Sequence, residues 1–414
     1  MNRFSKWVRI TTTLLVCLFV IIMIGCSGSI QSGSGAPGGT TGTGGTGGTG
    51  GGGGTGGGGG TGGGGGSNSS NSPRFFYSPK GYSFDSSTGV LTENGAAPSQ
   101  IGIGAWAVHP SQKFVYFDSR GDADSTNDDR FVGSYAVDAT SGALTAIPQT
   151  NVPGVNAQGP LAMHPSGKFL YAANFITSPS VVGYSIDQDT GALSQNSVGS
   201  ADTGVQTAQF VTLDPQGKFL YYGTLATETG NAQGGIVIFQ VDSTTGALTQ
   251  VGVQPTDQFE RSVISGDGKF LVSEGRVAEI AVFKIDPVTG LLTQLSLAAH
   301  TSAPEPGTMT IAGRFVYIQD ESGIDGFHID DDGSLTAVPG SPVMVSNGLC
   351  AMAVDKNNAF LFATTPVTET NPPPSTVHVF QLDSNSGALT EVSGSPFGKT
   401  NSSHDEDCSA AVVN

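Results

Sequence analysis

Carboxylates and arginines stand close together in two short stretches of the chain, Glu260–Arg261 and Glu274–Arg276. A carboxylate can act as a general base that activates water, and an arginine can hold the negative charge that develops on a carbonyl oxygen. Glu274 is therefore the candidate base of a hydrolytic site, and Arg261 or Arg276 is the candidate cation. The alternative interpretation is that these residues are loop charges that are paired with one another or solvated.

A turn motif that occurs seven times positions these residues. In the clearest copy, an apolar strand ends at Ile186, Asp187-Gln-Asp-Thr-Gly191 forms the turn, and Ala192-Leu-Ser194 starts the next strand. Asp and Thr bond nearby backbone groups in such turns, and Gly accepts a positive φ. The turn glycines are Gly89, Gly142, Gly191, Gly246, Gly290, Gly333 and Gly387. Their intervals of 43 to 55 residues are typical of propellers or solenoids.

A second motif lies between successive copies of the first. His109-Pro-Ser-Gln-Lys-Phe-Val-Tyr116 and His164-Pro-Ser-Gly-Lys-Phe-Leu-Tyr171 are two examples, each with an apolar run on both sides of the turn. Each repeat therefore holds four strands, named A to D from the inside outward, which is the composition of a propeller blade. Small residues such as Ala105 and Ala107 fill the A strands, as expected where blades crowd around an axis.

The two ends of the chain predict a closed ring. The first repeat begins with a B strand at Arg74 and has no A strand before it, whereas Cys408–Asn414 reads as an A strand with no B strand after it. The C-terminal strand is therefore expected to complete the first blade and to remove free sheet edges. The predicted fold is an all-β, seven-bladed propeller of four-stranded antiparallel blades over residues 72–414.

One face of this propeller should carry the candidate chemistry, because the loops that enter strand A and leave strand B meet there. The polar residues expected on that face are Arg120, Asn174, Glu260, Arg261, Glu274, Arg276, Asp320, Glu321, His404, Glu406 and Asp407. His109, His164 and Asp214 repeat at the opposite end of strand A, which indicates turn caps. The aspartate-rich stretch 118–130 lacks the ordered spacing of a calcium loop, so neither a metal nor another cofactor is predicted.

The N-terminal segment predicts export. Residues 1–26 combine a basic start with a short apolar run, which is typical of a signal peptide, and Met23-Ile-Gly-Cys26 resembles a lipobox that ends in a lipidated cysteine. An ordinary secretory signal and an uncleaved anchor are the alternatives. Residues 27–71 are rich in Gly and Thr and predict a disordered tether. We expect a monomer that is lipid-anchored in the cell envelope, at the outer membrane or cell surface.

The net charge limits the possible binding partners, and the cysteine content predicts a disulfide. The formal net charge of −17 argues against binding to nucleic acid or to anionic lipid surfaces. With Cys17 in the signal and Cys26 lipidated, Cys350 and Cys408 remain. They precede equivalent A strands of neighbouring blades, so we expect a disulfide that fastens the ring closure in an oxidising compartment.

The repeated motifs resemble those of a known family. Pro165-Ser-Gly-Lys-Phe-Leu-Tyr171 and Tyr184-Ser-Ile-Asp-Gln-Asp-Thr-Gly191 are similar to the blade turns of the bacterial seven-bladed propeller lactonases, and the similarity extends over residues 73–414. That family includes 6-phosphogluconolactonases and is related to muconate cycloisomerases. The resemblance implies a lactone or cyclic acid as substrate at the channel mouth.

The same resemblance implies catalytic Arg, His and Glu residues, with Gly-Pro-Arg-His at the start of an A strand. Here Gly159-Pro160 is followed by Leu161-Ala162, and Arg261 falls on the family's His position. The sequence therefore leaves two functions open. One is a lactone hydrolase in the cell envelope, and the other is a binding or scaffold propeller without catalysis.

Overall fold

The computed structural model describes residues 74–414 apart from 79, 97–102, 120–130, 149–159, 175–179, 202, 204–207, 225–233, 257–258, 276–278, 301–307, 321–322, 346–347, 366–374 and 401–409. The predicted signal peptide, the lipidation site Cys26 and the tether lie outside the described residues. All secondary-structure elements in the described part of the chain are β-strands. None of its segments forms a helix long and apolar enough to cross a membrane.

Thirty strands form seven sheets, the blades of a propeller. Blade 1 contains β1 (Arg74–Tyr77), β2 (Gly81–Phe84), β3 (Leu91–Glu93) and β30 (Ala411–Val413). Blade 2 contains β4 (Ile103–Val108), β5 (Phe114–Ser119), β6 (Phe131–Val137) and β7 (Leu144–Ala146). Blade 3 contains β8 (Leu161–Met163), β9 (Phe169–Ala173), β10 (Val181–Ile186) and β11 (Leu193–Ala201). Blade 4 contains β12 (Ala208–Leu213), β13 (Phe219–Thr224), β14 (Gly235–Val241) and β15 (Leu248–Pro255).

The remaining strands form three further blades. Blade 5 contains β16 (Phe259–Ile264), β17 (Phe270–Gly275), β18 (Glu279–Ile285) and β19 (Leu292–Ala299). Blade 6 contains β20 (Met309–Ala312), β21 (Phe315–Gln319), β22 (Gly323–Ile329), β23 (Leu335–Ala337) and β24 (Val343–Met344). Blade 7 contains β25 (Ala351–Val354), β26 (Phe360–Thr364), β27 (Ser375–Leu382), β28 (Leu389–Glu391) and β29 (Phe397–Thr400).

The ring closes as the sequence predicts. Strand β30 pairs antiparallel with β1, with Val412 opposite Phe76, and thereby supplies the A strand of blade 1. The seven-bladed antiparallel architecture is confirmed. Blades 6 and 7 differ from the prediction in having five strands, because the outer strand is interrupted by a turn. The chain then returns to pair with strand C as β24 and β29.

The hydrophobic core lies at the seams, the interfaces between neighbouring blades. Each of seven buried clusters combines side chains from two adjacent blades. In five seams a B-strand tyrosine also donates a hydrogen bond to the carbonyl of the turn glycine in the next blade. These pairs are Tyr77–Gly142, Tyr116–Gly191, Tyr171–Gly246, Tyr221–Gly290 and Tyr317–Gly387.

The antiparallel strand order gives the two faces of the ring different loops. The upper face carries the D–A and B–C connections, and the lower face carries the A–B and C–D turns. The C–D turns are held by their aspartates, as at Asp242, whose Oδ1 accepts hydrogen bonds from the backbone of Thr244 and Thr245 at 2.9 and 2.8 Å. The turns thus fix the lower face of each blade, and the A and B strands present their other ends at the upper face.

Candidate functional site

Two of the predicted site residues are direct neighbours in blade 5. Arg261 on β16 and Glu274 on β17 are paired across the sheet, and the next residue in this row is Ile280 on β18. Both charged residues lie within strands rather than in the loops where the sequence placed them. Ile280 belongs to the cluster between blades 5 and 6. Because paired residues of an antiparallel sheet project to one side, Arg261 and Glu274 face blade 6.

Glu274 is a buried acid. Its relative exposure is 1%, and Oε2 has no hydrogen-bond partner among the described residues. Burial raises the pKa of Glu274 from 4.5 to about 8, with the Arg261 charge opposing this rise and the Glu260 charge adding to it. Desolvation disfavours the charged carboxylate. The buried Glu274 side chain is therefore protonated at neutral pH and ionises at a slightly higher pH. A carboxyl group of this kind is suited to moving a proton in a reaction.

A histidine and an aspartate that sequence reasoning missed complete the polar cluster. His300 follows β19, and its Nδ1 lies 4.0 Å from Glu274 Oε1. Its Nε2 lies 2.8 Å from Asp325 Oδ2 on β22 of blade 6. We name Arg261, Glu274, His300 and Asp325 the seam 5/6 cluster. The signal in the sequence was that His300 ends a D strand, and therefore sits at the upper face where the carboxylates were expected.

The other residues predicted on the upper face are not all brought together. Asp320 caps its own B–C connection, since its Oδ1 accepts a hydrogen bond from the Gly323 N–H at 2.6 Å. Asn174 is buried at the end of strand B in blade 3, and Glu260 precedes Arg261 on β16. Six of the predicted residues lie outside the described part of the chain: Arg120, Arg276, Glu321, His404, Glu406 and Asp407.

The residues predicted as turn caps have that role. The Nε2 atoms of His109 and His164 lie 3.0 Å from the carbonyl oxygens of Gly167 and Gly217 in the next blade. Asp214 Oδ1 accepts a hydrogen bond from the Phe219 N–H at 2.6 Å. These groups are occupied in holding A–B turns on the lower face. They are therefore not available for chemistry at the upper face.

Only one of the two cysteines that were predicted to form a disulfide lies within the described residues. Cys350 precedes β25 and is disulfide-bonded. Cys408 lies outside the described residues, so its pairing with Cys350 stays a prediction.

The described part of the chain also forms a recess on the lower face, with about 1040 Å³ of space open to solvent. Each blade contributes one aliphatic residue from the end of its A strand: Val108, Met163, Leu213, Ile264, Ile311, Val354 and Val412. The acidic side chain in its lining, Asp214, is fixed in a turn. Lys356 is the cationic side chain in the lining. The recess therefore combines an apolar collar with one fixed acid and one lysine, whereas the seam 5/6 cluster brings an acid, a histidine and an arginine together and is the better candidate for chemistry.

Comparison with known proteins identifies the family. A family model described as "Lactonase, 7-bladed beta-propeller" matches residues 70–201 and 271–407. The chain belongs to this lactonase family. Within it, the matched residues include Glu274, His300 and Asp325, whereas Arg261 falls in the unmatched stretch 202–270. The family assignment therefore covers most of the seam 5/6 cluster without assigning a role to it.

Individual relatives of this lactonase-family propeller are distant. Over 98 residues it is 37% identical to "Probable 6-phosphogluconolactonase" of Arthroderma benhamiae, a match that covers 22% of this chain and 23% of that protein. A Lactobacillus plantarum protein superposes with a TM-score of 0.63 at 16% identity, over 83% of this chain and 99% of that one. The periplasmic gluconolactonase of Pseudomonas aeruginosa superposes with a TM-score of 0.57 at 17% identity, over 83% of this chain and 99% of that one. The two structures show a shared fold.

Proposed function

We propose that this lactonase-family propeller hydrolyses a lactone at its upper face, with Glu274 as general base and Arg261 as the cation that stabilises the oxyanion. The observation that carries the proposal is the buried Glu274 carboxyl group, placed in register with an arginine. A general base is most effective when its pKa lies near the working pH, and that of Glu274 is about 8. An acid kept only for solubility would be expected on the surface.

The proposed reaction is a two-step acyl transfer to water. The Glu274 carboxylate takes a proton from water as the water oxygen bonds to the lactone carbonyl carbon. The Arg261 guanidinium then faces the negative charge of the tetrahedral intermediate. When the ring C–O bond breaks, Glu274 returns its proton to the leaving alkoxide, and the product is a hydroxy acid. Because only ionised Glu274 can start this sequence, kcat/KM is expected to rise with pH up to about 8.

The names of the relatives favour a sugar-acid lactone as substrate. We further propose that the protein is exported and lipidated at Cys26, as its first 26 residues suggest. An envelope location favours a lactone without a phosphate group. Lipidation would be tested by whether Cys26→Ser moves the protein from the membrane fraction to the soluble fraction.

The test of the function is turnover of a lactone panel by the purified protein, corrected for spontaneous hydrolysis. The panel contains glucono-δ-lactone, 6-phosphogluconolactone and muconolactone. Glu274→Gln and Arg261→Met should each lower kcat/KM by about 10²- to 10³-fold. Glu279→Gln, which changes a carboxylate on β18 of the same blade, is the matched control and should retain full activity.

The outcomes separate the two functions that the sequence leaves open. Turnover that is lost in Glu274→Gln and kept in Glu279→Gln supports the hydrolase and its base. Turnover that survives in Glu274→Gln would place the site elsewhere on the propeller. Absence of turnover on every lactone would favour a binding propeller.

A further inference from the structure

A histidine–aspartate pair joins blades 5 and 6 beside the candidate base. His300 Nε2 and Asp325 Oδ2 are 2.8 Å apart, and the His300 side chain is almost fully buried. The ring packs edge-on against Phe327, with centroids 6.0 Å apart. Asp325 is held in turn by Ser341, whose Oγ lies 3.3 Å from Asp325 Oδ1. The carboxylate thereby fixes both the ring orientation of His300 and the proton on its Nε2.

The other ring nitrogen of His300 is directed at Glu274. His300 Nδ1 lies 4.0 Å from Glu274 Oε1. Within the described residues, neither Nδ1 nor Glu274 Oε2 has a hydrogen-bond partner. Two buried polar groups that stay unsatisfied are costly. Transfer of one proton from Glu274 to His300 would turn them into an ion pair without changing the net charge of the site.

We infer that Glu274 and His300 share one proton across seam 5/6, and that Asp325 acts as the positioning residue that draws this proton to His300. The inference deepens the proposed function, since it explains how a buried Glu274 becomes a base. When the two atoms close from 4.0 Å to hydrogen-bond distance, the Glu274 O–H bond breaks and an N–H bond forms at His300 Nδ1. Asp325 accepts the Nε2–H throughout. Glu274 is then the carboxylate that takes the proton of the attacking water.

The charges around the pair are consistent with this assignment. Strand β16 contributes Arg261 and Glu260, whose charges act on Glu274 in opposite directions. Strand β22 contributes Asp325. The neighbouring residues Ile280 on β18 and Met309 on β20 belong to the hydrophobic core cluster between blades 5 and 6. Among the described residues, Asp325 is thus the acid placed to stabilise an imidazolium at His300, and Arg261 is the cation placed to stabilise the carboxylate.

The inference is tested without substrate by NMR titration of the full chain. The protein has ten glutamates and six histidines, so [13Cδ]Glu and [13Cε1]His labels give resolvable spectra. Glu274→Gln and His300→Gln assign the two signals. In the wild type, both signals should shift at common midpoints, because coupled groups titrate as a pair. In Asp325→Asn, the common midpoint should fall by about one pH unit or more, because the protonated pair loses the carboxylate that stabilises it.

Asp330→Asn provides the matched control. His328 and Asp330 form a similar pair at the same strand, 2.9 Å apart, but both side chains are more than one-third exposed. This variant should leave the Glu274 midpoint unchanged. A Glu274 midpoint in Asp325→Asn within about 0.3 pH unit of the wild type would overturn the inference. If Asp325→Asn does not fold, the His300 titration in Glu274→Gln decides, since an unchanged His300 midpoint there excludes a shared proton.

The titration separates this inference from the proposed function. Coupled midpoints in a protein that hydrolyses none of the lactones would overturn the function and support the shared proton. Lactone turnover that depends on Glu274, together with an unmoved Glu274 midpoint in Asp325→Asn, would support the function and overturn the role of Asp325.

Discussion

The seam between blades 3 and 4 and the seam between blades 5 and 6 are built from the same repeat but filled differently. In the first, Tyr171 of strand B donates its hydroxyl to the Gly246 carbonyl at 2.8 Å. In the second, Val272 replaces that tyrosine. Ser296 Oγ instead bonds the turn carbonyl of Gly333 at 2.8 Å. Further up the same seam stand Glu274, His300 and Asp325, where the seam between blades 3 and 4 continues with the buried Ala173.

The difference shows which part of the molecule departs from what folding requires. Five seams keep the tyrosine-to-glycine bond, and this bond with the apolar packing is sufficient to join two blades. Burying a carboxyl group without a full set of partners costs free energy, so the seam 5/6 cluster does not exist for stability. A local departure from a stabilising repeat is the pattern expected of a functional site.

The largest contrast between the seams should appear in the pH dependence of stability. Burial keeps one proton on the Glu274–His300 pair of the folded protein up to about pH 8, whereas a glutamate ordinarily ionises near 4.5. Its contribution to folding is therefore complete below pH 4.5 and is lost as the pH rises through 8. Glu274→Gln should be more stable than the wild type by on the order of 4 kcal/mol at pH 8, and by little at pH 4.5.

Urea unfolding at a series of pH values measures this difference. Glu279→Gln, one strand further out in blade 5, is the control and should not gain stability with rising pH. A stability difference between Glu274→Gln and the wild type that stays constant from pH 5 to pH 8 would show that burial does not raise the pKa of Glu274.

The repeat and the site differ in how far sequence could predict them. The turn motif reports on local backbone conformation, so the positions of Gly191 and Gly246 were enough to predict blades, strand order and ring closure. The interrupted outer strands of blades 6 and 7 were missed, because the pairing of β24 with β22 is a tertiary contact. Glu274 and Arg261 were identified by residue type, but the burial of Glu274 was not predicted.

The cluster itself depends on register and on contacts between blades. A bulge between Phe259 and Arg261 sets which β16 residue lies opposite Glu274, and bulges are not evident from alternation alone. His300 and Asp325 are 25 residues apart and meet across a seam. Their approach follows from the way two sheets pack, which the spacing of residues along one strand does not specify.

In the regular seams, a turn glycine sets the distance between blades. Gly246 has φ of +74°, and a Cβ at this position would lie 2.6 Å from Cδ1 of Phe169 in blade 3. Gly246→Ala should therefore add overpacking to backbone strain and destabilise the protein by about 2–3 kcal/mol. Gly340→Ala is the control, since Gly340 has φ of +83° with no neighbouring atom within 4 Å. It should cost only the strain, about 1 kcal/mol.

Thermal and urea unfolding of both variants measure these costs. Equal losses in the two variants would mean that contact with Phe169 contributes nothing, and that the seam tolerates a wider spacing than the structure shows.

The smallest expected effect concerns the tyrosine hydroxyl, which five seams have and seam 5/6 lacks. Tyr171→Phe removes the donor to Gly246 and keeps the ring, so it should destabilise the protein by about 1 kcal/mol. Tyr184→Phe is the matched control, because the buried Tyr184 hydroxyl has no hydrogen-bond partner among the described residues. Its removal should be neutral or slightly stabilising, because no bond is lost and a buried polar group disappears.

Urea unfolding at pH 7 compares the two tyrosine variants with the wild type. A Tyr171→Phe protein as stable as Tyr184→Phe would mean that the tyrosine bond adds nothing to a seam. The absence of this tyrosine at Val272 would then carry no meaning for function, and the contrast between the seams would rest on the buried Glu274 alone. A selective loss in Tyr171→Phe would instead show that the tyrosine bond stabilises a seam, and that seam 5/6 replaces it with the Ser296–Gly333 bond in the place where it holds an acid.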